Sequence, residues 1–150
     1  MLHIFLDSSP LGLISNPAQS VEVVDITKWA KRCLAEGHKI YVPEVIDYEI
    51  RRELVRSGKT AGVRKLDSLR QTFRYVPITT SAMNLAADLW AQSRNRGTPT
   101  GDPKKLDIDV ILSAQALSLG IPQAELIVAT ENSKHISQFA PAEEWQNIYP

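Results

Sequence analysis

The chain has 150 residues, one domain's worth, and a chain of that length buries a sizeable core without disulfides or structural metal. Apolar residues make up 43% and charged residues 23%, and 17 basic against 17 acidic side chains leave a formal charge of zero. That balance argues against tight, non-specific nucleic-acid binding driven by counterion release, but not against an enzyme that meets nucleic acid locally and briefly.

The single cysteine, Cys33, excludes a disulfide framework and a cysteine-based zinc site and fits a reducing cytoplasm. It lies in a helical stretch, where a buried small hydrophobe is expected. No apolar run reaches the length of a membrane span, and Met1 to Asp7 lacks the basic flank and long apolar stretch of a signal peptide. The expectation is a cytoplasmic protein with no membrane contact. No repeat, low-complexity tract or linker divides residues 1–150, which read as a single domain.

Leu2 to Leu6 is a short apolar run ended by Asp7-Ser8-Ser9-Pro10, a buried strand stopped by turn chemistry. From about Val21 to Glu36, Val24, Trp29, Ala30, Cys33 and Leu34 recur near helical spacing, and Gly37 follows as a stop. Lys39 to Val42 is a second strand, ended by Pro43. Glu44 to about Ser57 is helical, with Val45, Ile46, Ile50 and Leu54 apolar and Gly58 closing it.

A charged helix is predicted from about Ala61 to Phe73 and a strand around Tyr75 to Ile78. Thr79-Thr80-Ser81 offers N-caps for a helix through Leu85, Ala86, Leu89 and Trp90. Arg96 to Lys105 reads as a long loop. Its Thr98-Pro99-Thr100-Gly101-Asp102 resembles a phosphate loop only faintly, and without the Gly-Lys-Ser/Thr ending it is not read as one. Ile108 to Leu119 is a small-residue helix ended by Gly120, Leu126 to Ala129 is a strand, and Thr130-Glu131-Asn132 opens the next turn.

Strands alternating with helices imply a parallel sheet joined by right-handed crossovers and covered on both faces. In such sheets the functional crevice lies outside the carboxyl ends of the strands. That edge should carry Asp7 to Ser9, Pro43 to Glu49 and Thr130 to Asn132.

Metal-assisted phosphodiester hydrolysis needs hard oxygen ligands, because Mg²⁺ and Mn²⁺ prefer carboxylates and water. Several carboxylates must then crowd together, which a bound cation makes tolerable. Asp7, Glu49, Asp107 and Asp109 are the candidates. The bland alternatives are a turn cap for Asp7 and a surface pair with Arg52 for Glu49. Asp107 is expected to cap the helix that follows it or to support the site. Asp109, with Ser113 and Ala116 leaving room on its face, is expected to be a ligand.

Arg51, Arg52 and Arg56 follow Glu49, and Lys104 and Lys105 precede Asp109; they are either a solvated surface or phosphate-holding groups beside the acids. His3, His38 and His135 lack metal-ligand spacing. Trp29, Trp90 and Trp145 read as core or interface anchors.

The stretches "IFLDSSPLG", "VPEVIDYEIRREL", "LDIDVILSAQALSLG" and "LIVATENSKHISQF" resemble, in order and spacing, the four signature blocks of PIN domains, above all VapC-like toxins of type II toxin–antitoxin systems. The blocks run from Ile4 to Phe139. Residue by residue, Asp7 matches the family's first Asp, Glu49 its helical Glu and Asp109 its third acid. Asn132 falls where the family carries a fourth Asp or often Asn.

The resemblance implies a three-layer α/β/α sandwich with a central parallel sheet and an endoribonuclease dependent on Mg²⁺ or Mn²⁺. It further implies an antitoxin partner that occludes the acidic crevice, and a homodimer. Two departures stand out. Asp7-Ser8-Ser9 replaces the usual Asp-Thr-Asn, keeping a hydroxyl at Ser8 and losing an amide at Ser9, and Asn132 leaves three firm carboxylates. They keep a second reading in play, a weak or inactive PIN-like module that binds nucleic acid or protein. A haloacid-dehalogenase-like phosphotransferase is disfavoured because Ser9 stands where that family needs its second Asp. A response-regulator receiver is disfavoured by the lack of its acidic pair and Lys.

Overall fold

A computed structural model describes residues 1–97 and 103–150, with the side chains of residues 103 and 104 outside the description. The Thr98 to Asp102 stretch lies outside the described residues, as does the side chain of Lys104. Among the described residues five parallel strands form one sheet in the order β3-β2-β1-β4-β5: β1 (His3–Leu6), β2 (Lys39–Pro43), β3 (Arg74–Val76), β4 (Leu126–Ala129) and β5 (Ala142–Glu143). β1 registers Ile4 on Ile40 and on Ile127, so three apolar strands stack at the centre of the sheet. Strands buried on both faces read as continuous apolar runs, and β1 is buried at all four positions.

The helices are α1 (Ser8–Ser15), α2 (Val21–Ala35), α3 (Glu44–Arg56), α4 (Thr60–Thr72), α5 (Thr80–Asn95), α6 (Pro103–Leu117) and the single turn α7 (Ser133–Ile136). Together with the sheet they make the expected three-layer α/β/α sandwich. The core joins Ile4, Phe5 and Leu6 of the sheet to Ile26, Ile46, Leu66 and Leu112 of four different helices. A second cluster, Ala82, Ala86, Leu106, Val110 and Ala114, lies between α5 and α6, where small side chains let the two helices approach closely.

Four expectations are corrected. Asp7-Ser8-Ser9-Pro10 does not end in a turn: Asp7 caps α1 by accepting from the Ser8 N–H, and Pro10 is tolerated in a first turn, where its missing N–H has no partner to lose. The helix predicted from Ile108 begins at Pro103, so Asp107 is interior to α6 and is not its cap. The third strand lies at Arg74–Val76, one residue early, because Pro77 closes it. The two-residue β5 was not expected.

The chain builds outward from β1 to β2 and β3, then returns to β4 on the other side of β1. The order therefore reverses between β1 and β4. A crevice opens outside the carboxyl ends of strands at such a reversal. Asp7 follows β1 there, and Thr130 to Asn132 follow β4.

No described helix is long and apolar enough to cross a membrane.

Candidate active site: an acidic centre at the strand reversal

Asp7, Ser8, Glu49, Lys105, Ile108, Asp109 and Asn132 line one small cavity of about 10 Å³. That is space for a single water-sized occupant. Larger cavities exist, such as a groove of about 860 Å³ that also touches Glu49, but the ionisable groups converge in the small one.

Asp7 is 6% exposed, and both of its oxygens are engaged. Oδ1 accepts the Ser8 N–H at 2.7 Å, and Oδ2 accepts the hydroxyl of Thr130 at 2.7 Å. Asp7 is a cap, but of helix α1 instead of a turn, and capping does not compete with a site role. Burial pushes the Asp7 carboxyl above the usual range, while the hydrogen bonds from Thr130 and Ser8 and the charge of Lys105 hold it back.

Glu49 is half-buried on α3. Burial raises its pKa and the Asp7 charge raises it further, against Lys105, Arg52 and the nearby Ser8 hydroxyl. Among the described ion pairs none joins Glu49 to Arg52; Arg52 instead lies over the Tyr48 ring at 5.1 Å.

Asp109 is pushed up to about 7, first by burial and then by the charges of Asp7 and Glu49, with Lys105 opposing. Asp7 raises Glu49, and both raise Asp109, so negative charge accumulates in a cluster that positive charge would relieve.

Asn132 lines the same cavity, and its N–H donates to the Thr130 hydroxyl at 3.0 Å. Ser9 turns away and donates to Glu131 at 3.1 Å. Thr130 is the residue that sequence reading left without a role. It is 1% exposed and ties the first acid to the Asn132 turn. The signal was present: a hydroxyl placed directly after the apolar run of β4, beside the expected edge.

Asp107 is not part of the centre. Residues two apart on an α-helix point about 200° from one another, so Asp109 and Asp107 face opposite ways. Asp107 is exposed and lines a cavity with Met83, Trp90 and Val110 between α5 and α6.

Of the cations after Glu49, Arg51 is structural. It bonds Asp47 at 2.8 Å and Asp67 at 2.8 Å, while Arg56 pairs with Glu53. Arg52 remains at the groove beside Glu49.

His3 meets the Tyr41 hydroxyl at 2.7 Å, and His38 accepts the Leu2 N–H at 2.9 Å, both away from the acids. Trp29 and Trp145 pack together at 5.7 Å. Cys33 is buried, and burial pushes its thiol up to about 11, as expected of an inert core residue.

The donor set suits a hard divalent cation, being three carboxylates and an amide oxygen. Among the described residues, however, no three Asp, Glu, His or Cys side chains are gathered closely enough to chelate an ion as they stand. The two observations agree for an ion that keeps part of its water shell, as Mg²⁺ does, bound directly by only one or two carboxylates.

No family model matches the chain, and no curated protein matches it. Solved structures do. VapBC2 from Rickettsia felis, bound to a promoter DNA fragment, superposes with a TM-score of 0.70 over 96% of this chain and 99% of that one, at 14% identity. FitAcB from Neisseria gonorrhoeae gives 0.69 over 97% and 99% at 17% identity. DNA-bound VapBC from Salmonella typhimurium gives 0.62 over 97% and 99% at 19% identity. At these identities the likeness is one of fold, and it extends over nearly the whole of each chain.

Proposed function

We propose that the chain is a divalent-metal-dependent endoribonuclease of the PIN type, the toxin of a toxin–antitoxin pair. The observation that carries the reading is the meeting of Asp7, Glu49 and Asp109 from three separate elements in one cavity at the strand reversal, with Asn132 beside them. Buried carboxyls gathered so that Asp7 raises Glu49 and both raise Asp109 are costly in a fold and are tolerated where a cation uses them.

Asp7, Glu49 and Asp109 would hold the ion. A bound Mg²⁺ or Mn²⁺ supplies positive charge at the phosphate and lowers the pKa of water. The protein's own part is positioning: Thr130 fixes the Asp7 carboxylate, Ser8 supports Glu49, Asn132 offers an amide to a phosphate oxygen, and Arg52 and Lys105 hold the RNA backbone. Lys104 is proposed for the same task from its place in the sequence.

The complexes named in the solved structures support an antitoxin partner. The 860 Å³ groove between α1 and the α3–α4 pair opens beside Glu49, so a segment lying in it would reach the acids. A homodimer is proposed through α5, where Met83 and Trp90 are each 42% exposed seven residues apart on one face. A cytoplasmic location fits the reduced Cys33.

The test is cleavage of a mixed RNA pool by the purified protein with Mn²⁺, with EDTA, and with Asp109→Asn. Cutting that needs metal and disappears in the variant supports the reading, and cutting that survives Asp109→Asn assigns it to a contaminant or another acid. The second reading, a binding module with a degenerate centre, is favoured by the neutral Asn132 and by the open carboxylates. It prevails if nothing is cut and calorimetry finds no bound Mn²⁺.

A further inference from the structure

Lys105 stands out among the cations near the acidic centre. It lines the cavity itself, and its charge acts on Asp7, Glu49 and Asp109 alike. Arg52, by contrast, acts on Glu49 alone among the three. Lys105 and Asp109 are four residues apart on α6, so the ammonium and the carboxylate share one helix face. Their helix is anchored by Leu106, Val110 and Leu112, at 1%, 3% and 0% exposure, and the Lys105 backbone is therefore fixed. Its side chain remains exposed and can meet a substrate.

The charges lining the cavity can be counted. With the three carboxylates ionised, as they would be around a cation, they, one neutral amide and one ammonium sum to minus two. One divalent ion closes that balance; a second would leave the centre at plus two before any phosphate arrives. The cavity offers space for one water-sized occupant. In two-ion hydrolytic sites the second ion steadies the charge that builds on the phosphate and leaving oxygen. A fixed ammonium can do the same without a site of its own.

We propose that Lys105 takes the part of a second cation: the centre accepts a single divalent ion, and the Lys105 ammonium binds the RNA phosphate being cleaved. This rests on the nuclease reading. An ordinary surface lysine, or one that merely balances charge in the empty site, would leave catalysis untouched.

Calorimetric titration with Mn²⁺ and cleavage rates on a mixed RNA pool, at limiting and saturating RNA, are compared for wild type, Lys105→Ala and Lys105→Arg. Wild type is expected to bind one Mn²⁺. Lys105→Ala is expected to bind Mn²⁺ several-fold more tightly, because a competing positive charge is gone. It should nonetheless lose about 100-fold in the saturated rate, as sites do when one charge-stabilising donor is removed. Lys105→Arg should recover most of that rate.

A Lys105→Ala protein that cuts at the wild-type rate overturns the inference, and so does a wild type that binds two Mn²⁺. Both outcomes leave the nuclease reading standing. A wild type that neither binds Mn²⁺ nor cuts RNA overturns the nuclease reading, and this inference falls with it.

Discussion

The hydroxyl of Thr130 donates to Asp7 Oδ2 at 2.7 Å across the two strand ends where the sheet reverses its order. The Thr130 hydroxyl oxygen in turn accepts the Asn132 N–H at 3.0 Å. One buried side chain thus sets the rotamer of the first acid and the path of the turn that carries the fourth polar group. The hydrogen bond goes to the charged form of Asp7 and opposes the rise that burial imposes.

Thr130→Val keeps the shape and removes both bonds. The variant is expected to lose about 1–3 kcal/mol of stability, since a buried carboxylate oxygen and a backbone N–H are left without partners. Mn²⁺ affinity at neutral pH should fall because Asp7 protonates more readily. Thr130→Ser should retain both properties. Urea unfolding with EDTA, set beside Mn²⁺ calorimetry, separates the two effects; equal metal binding in Thr130→Val would remove Thr130 from the site.

Asp109 gives the pH dependence. Its carboxyl is raised from 3.8 to about 7 in the folded chain by burial and by Asp7 and Glu49. Between those values the folded state binds more protons than the unfolded state. Without metal, stability therefore falls as pH rises through this window and levels off above about 7. Asp109→Asn should be more stable than wild type at pH 8 in EDTA, and the gap should close by pH near 4. With Mn²⁺ present the order should reverse at pH 8, because only wild type gains from the ion. Denaturant midpoints at the two pH values decide it, and a gap that ignores pH would mean Asp109 is ordinarily solvated.

Much of this site is legible in the sequence. β1, β2 and β4 announce themselves as apolar runs ended by Asp7, Pro43 and Thr130, and the rule for parallel sheets then collects their following residues at one edge. Glu49 is legible more weakly, as an acid at the margin of an apolar helical stripe. What was hidden depends on pairing between distant segments. β5 is two residues long and exists because Ala142 registers on Val128, which no local pattern encodes. The start of α6 was misplaced because the Gly- and Lys-rich residues before Asp107 look like a loop, whereas Pro103 is well suited to a first turn. That shift removed Asp107 from the cap and fixed Lys105 one turn before Asp109. The Thr130–Asp7 bond spans 123 residues and lay beyond any reading of spacing.

Asp47 tests the alternative role of the arginines after Glu49. It is 2% exposed and accepts from Arg51 at 2.8 Å and from Arg70 at 3.0 Å, joining α3 to α4. Burial would raise its carboxyl, but the hydrogen bonds and charges of Arg51 and Arg70 outweigh that and hold it below the usual range. Its stabilisation is therefore present above pH 3.8 and lost as pH falls through the lower folded value. Asp47→Asn should cost about 2–3 kcal/mol, less than a fully buried pair because the guanidinium groups are partly solvated. The folded fraction should still bind Mn²⁺ with wild-type affinity. A loss of Mn²⁺ binding in folded protein would place this clamp inside the acidic centre instead of behind it.

Trp90 carries the prediction for assembly. It is 42% exposed on α5, with the Arg94 guanidinium 5.6 Å from the ring centre and Met83, also 42% exposed, two turns earlier. Between α5 and α6 a cavity of about 420 Å³ lies against both apolar side chains, with Asp107 at its margin. An aromatic anchor next to an unfilled cavity is the form that interface hot spots take, and charge placed there acts on association far more than on the fold. Trp90→Asp should convert a dimer to a monomer in sedimentation velocity, with the urea midpoint at low protein concentration nearly unchanged, since the ring is not part of the buried α5–α6 cluster of Ala82, Ala86 and Val110. A wild type that is already monomeric at tens of micromolar would remove the dimer from the proposal. It would leave the acidic centre untouched, because Asp7, Glu49 and Asp109 all come from one chain.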